Sequence, residues 1–443
     1  MKVAIVGAGI SGLTTAFYLR RARPDWDLSI FDAGARAGGT MQTFDVQGFR
    51  FEAGGNGFLS NKPDSLRLVE DSGAGEVLLR SSDLARKRFI FDGALQPLPE
   101  SPGAFLKTKL LTWPQKLRVA GEFFVPPRRE GGEETLQQFG YRRVGKGLTD
   151  VFLDAMTAGI YGTTPAKISV NAAFPLIVNL ENEYGGLFKG MLAKRKKEAG
   201  PGGVLMSFKG GVSTLIEHLR RSIEADWHIG QPVVAIGRDA DRWRIDSPDT
   251  SARFDQVVVA AQPHDSAGMF SASDPELARL MGLVEFTPIA VVGLGYRALR
   301  HTLDGFGLLT TSAARQPVLG VLWDSSIFPD RAPPGGSALR VMIGGQRNPE
   351  LVDQDEQGLL GTAMAGLSAT MGVTQEPDVV FSHRWAKGIP HYRLGHLAKV
   401  DAIFAHVARQ PGLHLVCNAY KGIAMNDCVR NGRELASKLA GAA

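Results

Sequence analysis

The chain has 443 residues, 44% of them hydrophobic, with a formal net charge of +5 and a mean hydropathy of −0.05. This describes a globular enzyme of two or three lobes around a large core, and so modest a charge gives no reason to expect nucleic acid as a partner. Only Cys417 and Cys428 occur, which argues against a disulfide framework and a cysteine zinc site. No metal is expected, and both thiols are expected reduced and packed. No apolar run reaches the roughly 20 residues that a spanning helix needs.

Residues 3–12, VAIVGAGISG, read as a strand entering a glycine turn and a helix start. Gly7 permits the turn, Gly9 lets backbone approach a phosphate, and Gly12 lets the helix pack on the strand, while the helix N-terminus offers free N–H donors to an anion. Asp32 ends a second strand, LSIFD, twenty residues after Gly12. Its carboxylate suits ribose hydroxyls and repels a 2′-phosphate, so NADP is disfavoured while FAD and NAD stay open. Because the first strand begins two residues after Met1, no leader is expected and the cytoplasm is the expected location.

Further along, RKRFIF (86–91) alternates as a strand with Arg86 and Arg88 on one face and Lys87 on the other. Residues 99–200 are helix-rich, and the basic run Lys194–Lys197 reads as a solvated helix face. Nucleotide-fold signals then return: a helix opening at a double glycine (209–223), short strands in QPVVAIG and WRIDS, and FDQVVVAAQP (254–263), which has the composition of a buried parallel strand. Residues 284–345 alternate as sheet in TPIAVVGLGYR and ALRVMIGG, and residues 413–443 run from a strand through a glycine loop into an amphipathic helix. The fold class expected is therefore α/β, with a discontinuous Rossmann-like nucleotide domain, a mixed-sheet domain and a helical lobe.

Arg36-Ala37-Gly38-Gly39-Thr40, directly after the acidic strand end, resembles the pattern of FAD enzymes more than that of NAD dehydrogenases. Five more segments are similar to the flavin-dependent protoporphyrinogen oxidase family within the amine-oxidase-like flavoproteins: EAGGNGFL (52–59), RFIFDGALQPLP (88–99), IYGTTPAKISVNAAFP (160–175), GFGLL (305–309) and NAYKGIAMNDCVRNGRE (418–434). The resemblance implies FAD held by Gly7, Gly9, Ile10, Ser11, Gly12, Asp32, Ala33, Arg36, Gly39, Thr40, Gly55, Asn56 and Gly57. It places Val234 at the adenine end, Trp385 beside the flavin, and Ile423, Ala424 and Met425 under its pyrimidine edge. It also implies an FAD-binding domain from residues 1–75, 204–262 and 396–443, a substrate domain from 76–98 and 263–395, and a helical, membrane-associating domain at 99–203.

A porphyrinogen is an apolar macrocycle with carboxylates, so its pocket should be mostly hydrophobic with an arginine on a propionate. The resemblance assigns that arginine to Arg88, a second polar contact to Asn56, and the apolar walls to Leu309, Leu322 and Met342. Hydride transfer to flavin N5, three times over with O2 as acceptor, would give the porphyrin, and no acid–base residue is demanded. His391 and His396 are therefore expected to be packed. Coproporphyrinogen oxidation, with four propionates, would call for more basic groups. Amine oxidation would call for paired aromatics at the flavin, where Tyr420 has no evident partner, and a non-catalytic porphyrin-binding protein is a further alternative. The resemblance also raises a membrane surface on the inner face of the cell membrane, a homodimer, and product transfer to ferrochelatase. Leu106, Leu110, Leu111, Trp113, Phe123 and Phe124, interleaved with Lys107, Lys109, Lys116 and Arg118, form the candidate surface. The chain departs from the family at Gly55 and Gly57, where proline and serine are common, so a more flexible loop is expected around Asn56. It departs again at Ala424 and Met425, and at Asp32 in place of glutamate.

Overall fold

The computed structural model describes residues 1–128, 131–197 and 203–441, with side chains at 195–197 outside the description. Of the run Lys194–Lys197, only Lys194 has a described side chain, so the solvated-face expectation for the rest lies outside the described residues.

A five-stranded parallel sheet is assembled from distant parts of the chain, in the order Asp226–Ile229, Asp27–Asp32, Lys2–Val6, Gln256–Val259 and Leu413–Leu415. Its middle strands are apolar on both faces because both are covered. On one side, Val3, Ile5, Leu28 and Val258 pack with the helices Ile10–Ala22, Ser213–Ser222 and Met425–Leu439. On the other, Ala4, Val6, Phe31 and Val257 pack with Trp243 and Ile245 of a small antiparallel sheet and with Phe270, Leu277 and Ile403 of three helices. Val233 and Val234 precede the strand Ala235–Asp239 instead of lying in it. The first and last long helices cross closely. A Cβ at Gly432 would sit 2.9 Å from the Ser11 carbonyl oxygen, and Thr15 Oγ1 donates to the Gly432 carbonyl at 3.3 Å.

The second sheet has seven strands in the order Val379–Pro390, Phe286–Tyr296, Ser337–Gly344, Val318–Leu322, Gly307–Thr310, Arg88–Phe91 and Leu95–Pro97. All neighbours are antiparallel except Gly307–Thr310 with Arg88–Phe91. One face carries Val292, Leu294, Leu339 and Val341 onto Leu359, Ala363 and Leu367 of the helix Glu356–Met371. The other face receives the hairpin Thr43–Val46/Phe49–Glu52: Gly293 and Gly295 leave room there for Phe51 and Phe49, whose rings lie 2.4 and 2.8 Å from where a Cβ would stand. The reading of RKRFIF as one strand is corrected. Residues Asp83–Arg86 form a 3-10 turn and the strand starts at Arg88, so Arg86 and Arg88 share no pleated face.

Helices fill most of residues 102–197. A π-helical turn, Thr149–Leu153, leads into the helix Asp154–Tyr161, which packs on the open face of the seven-stranded sheet. The candidate surface at 105–127 divides. Leu110, Leu111 and Lys116 are buried, with Lys116 Nζ donating to the Leu106 and Thr108 carbonyls, and Arg118 is spent on the carbonyls of 141–143. Leu106, Trp113, Leu117, Phe123 and Phe124 stay exposed, Phe124 by 83%, beside exposed Lys107 and Lys109. Among the described residues no helix is long and apolar enough to cross a membrane. Cys417 and Cys428 are free and buried.

A buried ion pair joins this lobe to the sheet. Asp154 meets Arg347 at 2.9 Å, accepts from Ser312 N and Oγ, and Arg347 also donates to the Thr310 carbonyl at 2.8 Å. Both side chains are under one-tenth exposed. Arg347→Met should lower stability by roughly 3 kcal/mol by stranding the carboxylate, and the Asp154→Asn/Arg347→Met double variant should regain most of that loss; chemical denaturation of the three proteins checks both.

Candidate functional site

Three glycine segments converge at the C-terminal ends of the parallel strands. Gly7 has φ +106° and a Cβ there would lie 2.7 Å from Ala261 N, while a Cβ at Gly12 would lie 2.0 Å from the Gly7 carbonyl oxygen. These are steric demands for glycine at the turn and at the helix–strand contact. Gly9 differs: a Cβ there would meet only Gly39 Cα, at 3.9 Å, so the N-terminus of Ile10–Ala22 faces open space lined by bare backbone. The segment 38–40 is tied to it by Gly38 N donating to the Ala8 carbonyl at 2.8 Å, and Thr40 in turn touches Gly54. Gly55 has nothing within 4 Å of its Cβ position.

Asp32 accepts from Ala8 N and Gly34 N, both at 2.7 Å. Its carboxylate thus splints the first glycine turn to the end of its own strand, and its remaining lone pairs stay available. Ala33 is exposed beside it, and the backbone of Gly230 and Gln231 hydrogen-bonds to Gly34 and Asp32, which brings exposed Val234 to the same end of the sheet. Arg36 lies over the Phe44 ring at 4.1 Å and donates to Gln42 Oε1. Ile423 packs toward the helical lobe and Met425 toward the first helix, with Ala424 between them as the N-cap of Met425–Leu439. Neither this helix nor Ile10–Ala22 has a side-chain cap, so both present uncapped N–H groups. A cradle of bare glycine backbone between such helix ends fits a dinucleotide pyrophosphate.

Strand register puts the candidate substrate residues on one face. Arg88, Gly307, Leu322, Arg340, Gly293 and Phe381 stand opposite one another in sequence across six strands; two residues along, Ile90, Leu309, Gly320, Met342, Val291 and His383 form the next row. Residues directly opposite share a face, so Arg88, Leu309, Leu322 and Met342 all project away from the helix Glu356–Met371. The three apolar ones are half-buried, and Leu309 lies against Gly159, where a Cβ would be 2.8 Å from it. Trp385, further along the same edge strand, donates from its indole to the Ala53 carbonyl at 2.8 Å and packs 4.3 Å from the His383 ring. Of three consecutive basic residues, Arg86 lies near Asp83 and Lys87 pairs with Asp304, whereas Arg88 has no carboxylate partner among the described residues and lies exposed over Phe306.

The loop 53–57 crosses this face, held by residues that no motif announced. Arg340, 2% exposed, donates to the Glu52 carbonyl at 2.9 Å, the Gly54 carbonyl at 2.7 Å and Asp324 Oδ1 at 3.2 Å. Glu52 is buried against Arg331 at 3.1 Å and accepts from Thr43 and Val212 N. Burial pushes the Asp324 and Glu52 carboxyls up, and the facing guanidinium groups pull them back. Of the two departures around Asn56, Gly57 is packed more tightly than a loose loop would require: a Cβ there would stand 1.9 Å from the Met206 carbonyl oxygen of the strand Leu205–Phe208, whereas Gly55 faces open space.

His391 and His396 are buried, His391 facing Thr163 Oγ1 at 3.2 Å and His396 stacked on Tyr392; burial depresses both to about 4. Tyr420 is buried with Phe404 edge-on and offers no second ring to a flavin-facing pair. A groove of about 660 Å³ lies at the opposite, N-terminal ends of the parallel strands, where Lys2, Asp27 and Asp226 stand with arginines largely paired to aspartates. It is remote from the glycine cradle.

The family model for flavin containing amine oxidoreductase matches residues 10–440. The chain is 24% identical to a Bacillus subtilis protein named coproporphyrinogen III oxidase, over 98% of this chain and 97% of that one. It is 28% identical to a Bos taurus protein named protoporphyrinogen oxidase, over 99% and 98%. A crystal structure from Exiguobacterium sp. 255-15, provisionally titled protoporphyrinogen oxidase, superposes with a TM-score of 0.87 at 26% identity, covering 99% and 98% of the two chains.

Gly57→Ser should cost on the order of 2 kcal/mol through the clash with Met206 and release FAD more readily; thermal shift and retained flavin absorbance measure both.

Proposed function

The chain belongs to the flavin containing amine oxidoreductases and is an FAD-dependent oxidoreductase, and from that premise we propose that it oxidises protoporphyrinogen IX to protoporphyrin IX, in tetrapyrrole synthesis, with O2 as the final acceptor. The observation that carries the reading is the shared sheet face: Arg88, without a carboxylate partner among the described residues, in register with Leu322 and adjacent to Leu309 and Met342, with the Asn56 loop anchored to Arg340 of the same row. When bound, FAD supplies two-electron acceptance at N5, and three such rounds convert the porphyrinogen into the porphyrin. The protein's own share is binding and orientation. In this reading residues 1–75, 204–262 and 396–443 carry the cofactor, 76–98 and 263–395 carry the substrate, and 99–203 form the helical lobe. The glycine backbone at 7–12, 38–40 and 54–55 would hold the pyrophosphate and flavin, Asp32 and Val234 the adenosine half, and Ile423–Met425 the pyrimidine edge. Leu309, Leu322 and Met342 exclude water from the macrocycle's face, and Arg88 fixes a propionate by charge-assisted hydrogen bonds.

Charge accounting favours the substrate with two propionates over the one with four. Arg340, in the same row of the sheet, is consumed by backbone carbonyls and Asp324, and Arg36 is assigned to the cofactor, which leaves Arg88 as the one cation assigned to substrate. Anaerobic addition of either porphyrinogen should bleach the yellow protein, faster with protoporphyrinogen; a flavin that stays oxidised with both would overturn the reading. Arg88→Ala should raise KM about ten- to hundredfold, the range for one lost hydrogen bond to a charged group, with an unchanged flavin spectrum.

A second reading concerns the helical lobe and rests on its exposed aromatics. Trp113 and Leu117 are one turn apart on one face of a helix and are 62% and 69% exposed, beside Phe124. Such a surface suits shallow insertion at headgroup depth, with Lys107 and Lys109 facing anionic lipid, which keeps the protein near a poorly soluble substrate. Vesicles containing anionic lipid should pull down the wild type, and Trp113→Ser/Phe124→Ser should cut the bound fraction several-fold in co-sedimentation.

A further inference from the structure

The rim beside Arg88 carries two more arginines and a carboxylate that the reading above leaves without a task. Arg80 ends the strand Leu78–Arg80, and Arg86 ends the 3-10 turn Asp83–Arg86. Ser81 N donates to the Leu205 carbonyl and Ser82 N to the Ile327 carbonyl, both at 2.9 Å, which pins the turn. Leu79 and Ala85, the chain neighbours of the two arginines, share one apolar cluster with Phe306, the ring under Arg88, and with Leu322, an assigned wall of the substrate face. Asp83 Oδ1 serves both guanidinium groups, Arg80 Nη2 at 3.3 Å and Arg86 Nη2 at 3.6 Å, and all three side chains are more than half exposed.

Exposed ion pairs contribute little to stability, and the backbone bonds already hold the turn, so Asp83 is no brace. What it sets is charge. With its carboxylate in place Arg80 and Arg86 are occupied and an anion stands between them; Leu84 of the same turn, 45% exposed, adds apolar surface. The side of a porphyrinogen that suits this rim is one without propionates. Protoporphyrinogen has such a side, because two of its four pyrroles carry vinyl groups. Coproporphyrinogen carries a propionate on every pyrrole, so whichever way it turns, a carboxylate is brought toward Asp83. Like charges brought together slow encounter and weaken binding, and here only the tetracarboxylate suffers it. The neighbouring pair, Lys87 with Asp304 at 2.5 Å, offers a comparison: Lys87 and Arg88 are consecutive in extended backbone and leave it on opposite sides.

We infer that Asp83 is a specificity-determining residue: by occupying Arg80 and Arg86 and standing between them as an anion, it disfavours porphyrinogens with a propionate on every pyrrole and admits those with an apolar side. The inference rests on the porphyrinogen reading and names the group that enforces its choice between the two substrates.

The test is the ratio of kcat/KM for coproporphyrinogen to that for protoporphyrinogen in the FAD-loaded wild type, Asp83→Asn, Asp83→Lys and Asp304→Asn. Asp83→Asn should raise the ratio about three- to fivefold, the worth of one exposed charge pair, through KM and with kcat within about twofold. Asp83→Lys puts a cation where the anion stood and should raise the ratio about tenfold, and added salt should shrink both gains because the groups are exposed. Asp304→Asn frees a cation on the opposite side of the strand and should leave the ratio within about twofold of wild type. A ratio unmoved in both Asp83 variants overturns the inference, and so does an equal gain in Asp304→Asn, which would trace the effect to net charge alone. Wild type reduced by neither porphyrinogen is a separate outcome that removes the underlying reading, and this inference with it.

Discussion

The guanidinium of Arg340 is the interaction on which the site depends. It stands in the central strands of the seven-stranded sheet, yet its donors go to the carbonyls of Glu52 and Gly54, backbone that continues from the glycine cradle. A charged group is tolerated this deeply buried because its terminal nitrogens find acceptors, two peptide oxygens for Nη1 and one carboxylate for Nη2. The consequence is geometric: the surface that would meet substrate and the loop that would meet cofactor are fixed relative to each other by short, directional bonds. The Trp385 indole on the Ala53 carbonyl and the Arg331–Glu52 pair make the same connection from either side.

The cofactor side of the fold was readable because its chemistry is local. Gly7 and Gly12 each answer a steric demand within one turn, Gly9 leaves bare backbone facing open space, and the strand preceding them is apolar on both faces, so spacing and composition point the same way. The late return of nucleotide-fold signals at 254–263 and 413–416 likewise corresponds to strands Gln256–Val259 and Leu413–Leu415 beside the first. What the sequence hid is long-range polar pairing. Nothing near Arg340, Asp324 or Arg331 distinguishes them from surface charges in a linear reading; they become visible only when residues 52, 324, 331 and 340 are brought into one interior.

Two misreadings have physical causes. Alternation in RKRFIF is genuine in letters, but Pro97, Asp83 and the pairing partner at Gly307 confine the ladder to 88–91, and the preceding residues turn as a 3-10 helix. Gly57 suggested looseness because glycine frees an isolated chain; here the absent side chain lets two backbones touch. The surface segment at 105–127 shows a third limit. Composition marked it as amphipathic, but which lysines face outward was settled by carbonyl acceptors: Lys116 turns in to cap two of them while its neighbours do not.

The parallel sheet carries a consequence for how the protein is made. Its central strand, Lys2–Val6, is flanked on one side by Gln256–Val259, and the edge beyond that is filled by Leu413–Leu415, which follows it in the chain by several hundred residues. An early apolar strand must therefore wait for most of the polypeptide to be synthesised before its ladder can close, a high-contact-order topology that folds slowly and leaves sticky segments exposed meanwhile. A cofactor held between the ends of Ile10–Ala22 and Met425–Leu439 would bind only once both helices stand beside the same sheet, so its capture would follow closure of the ladder and not precede it.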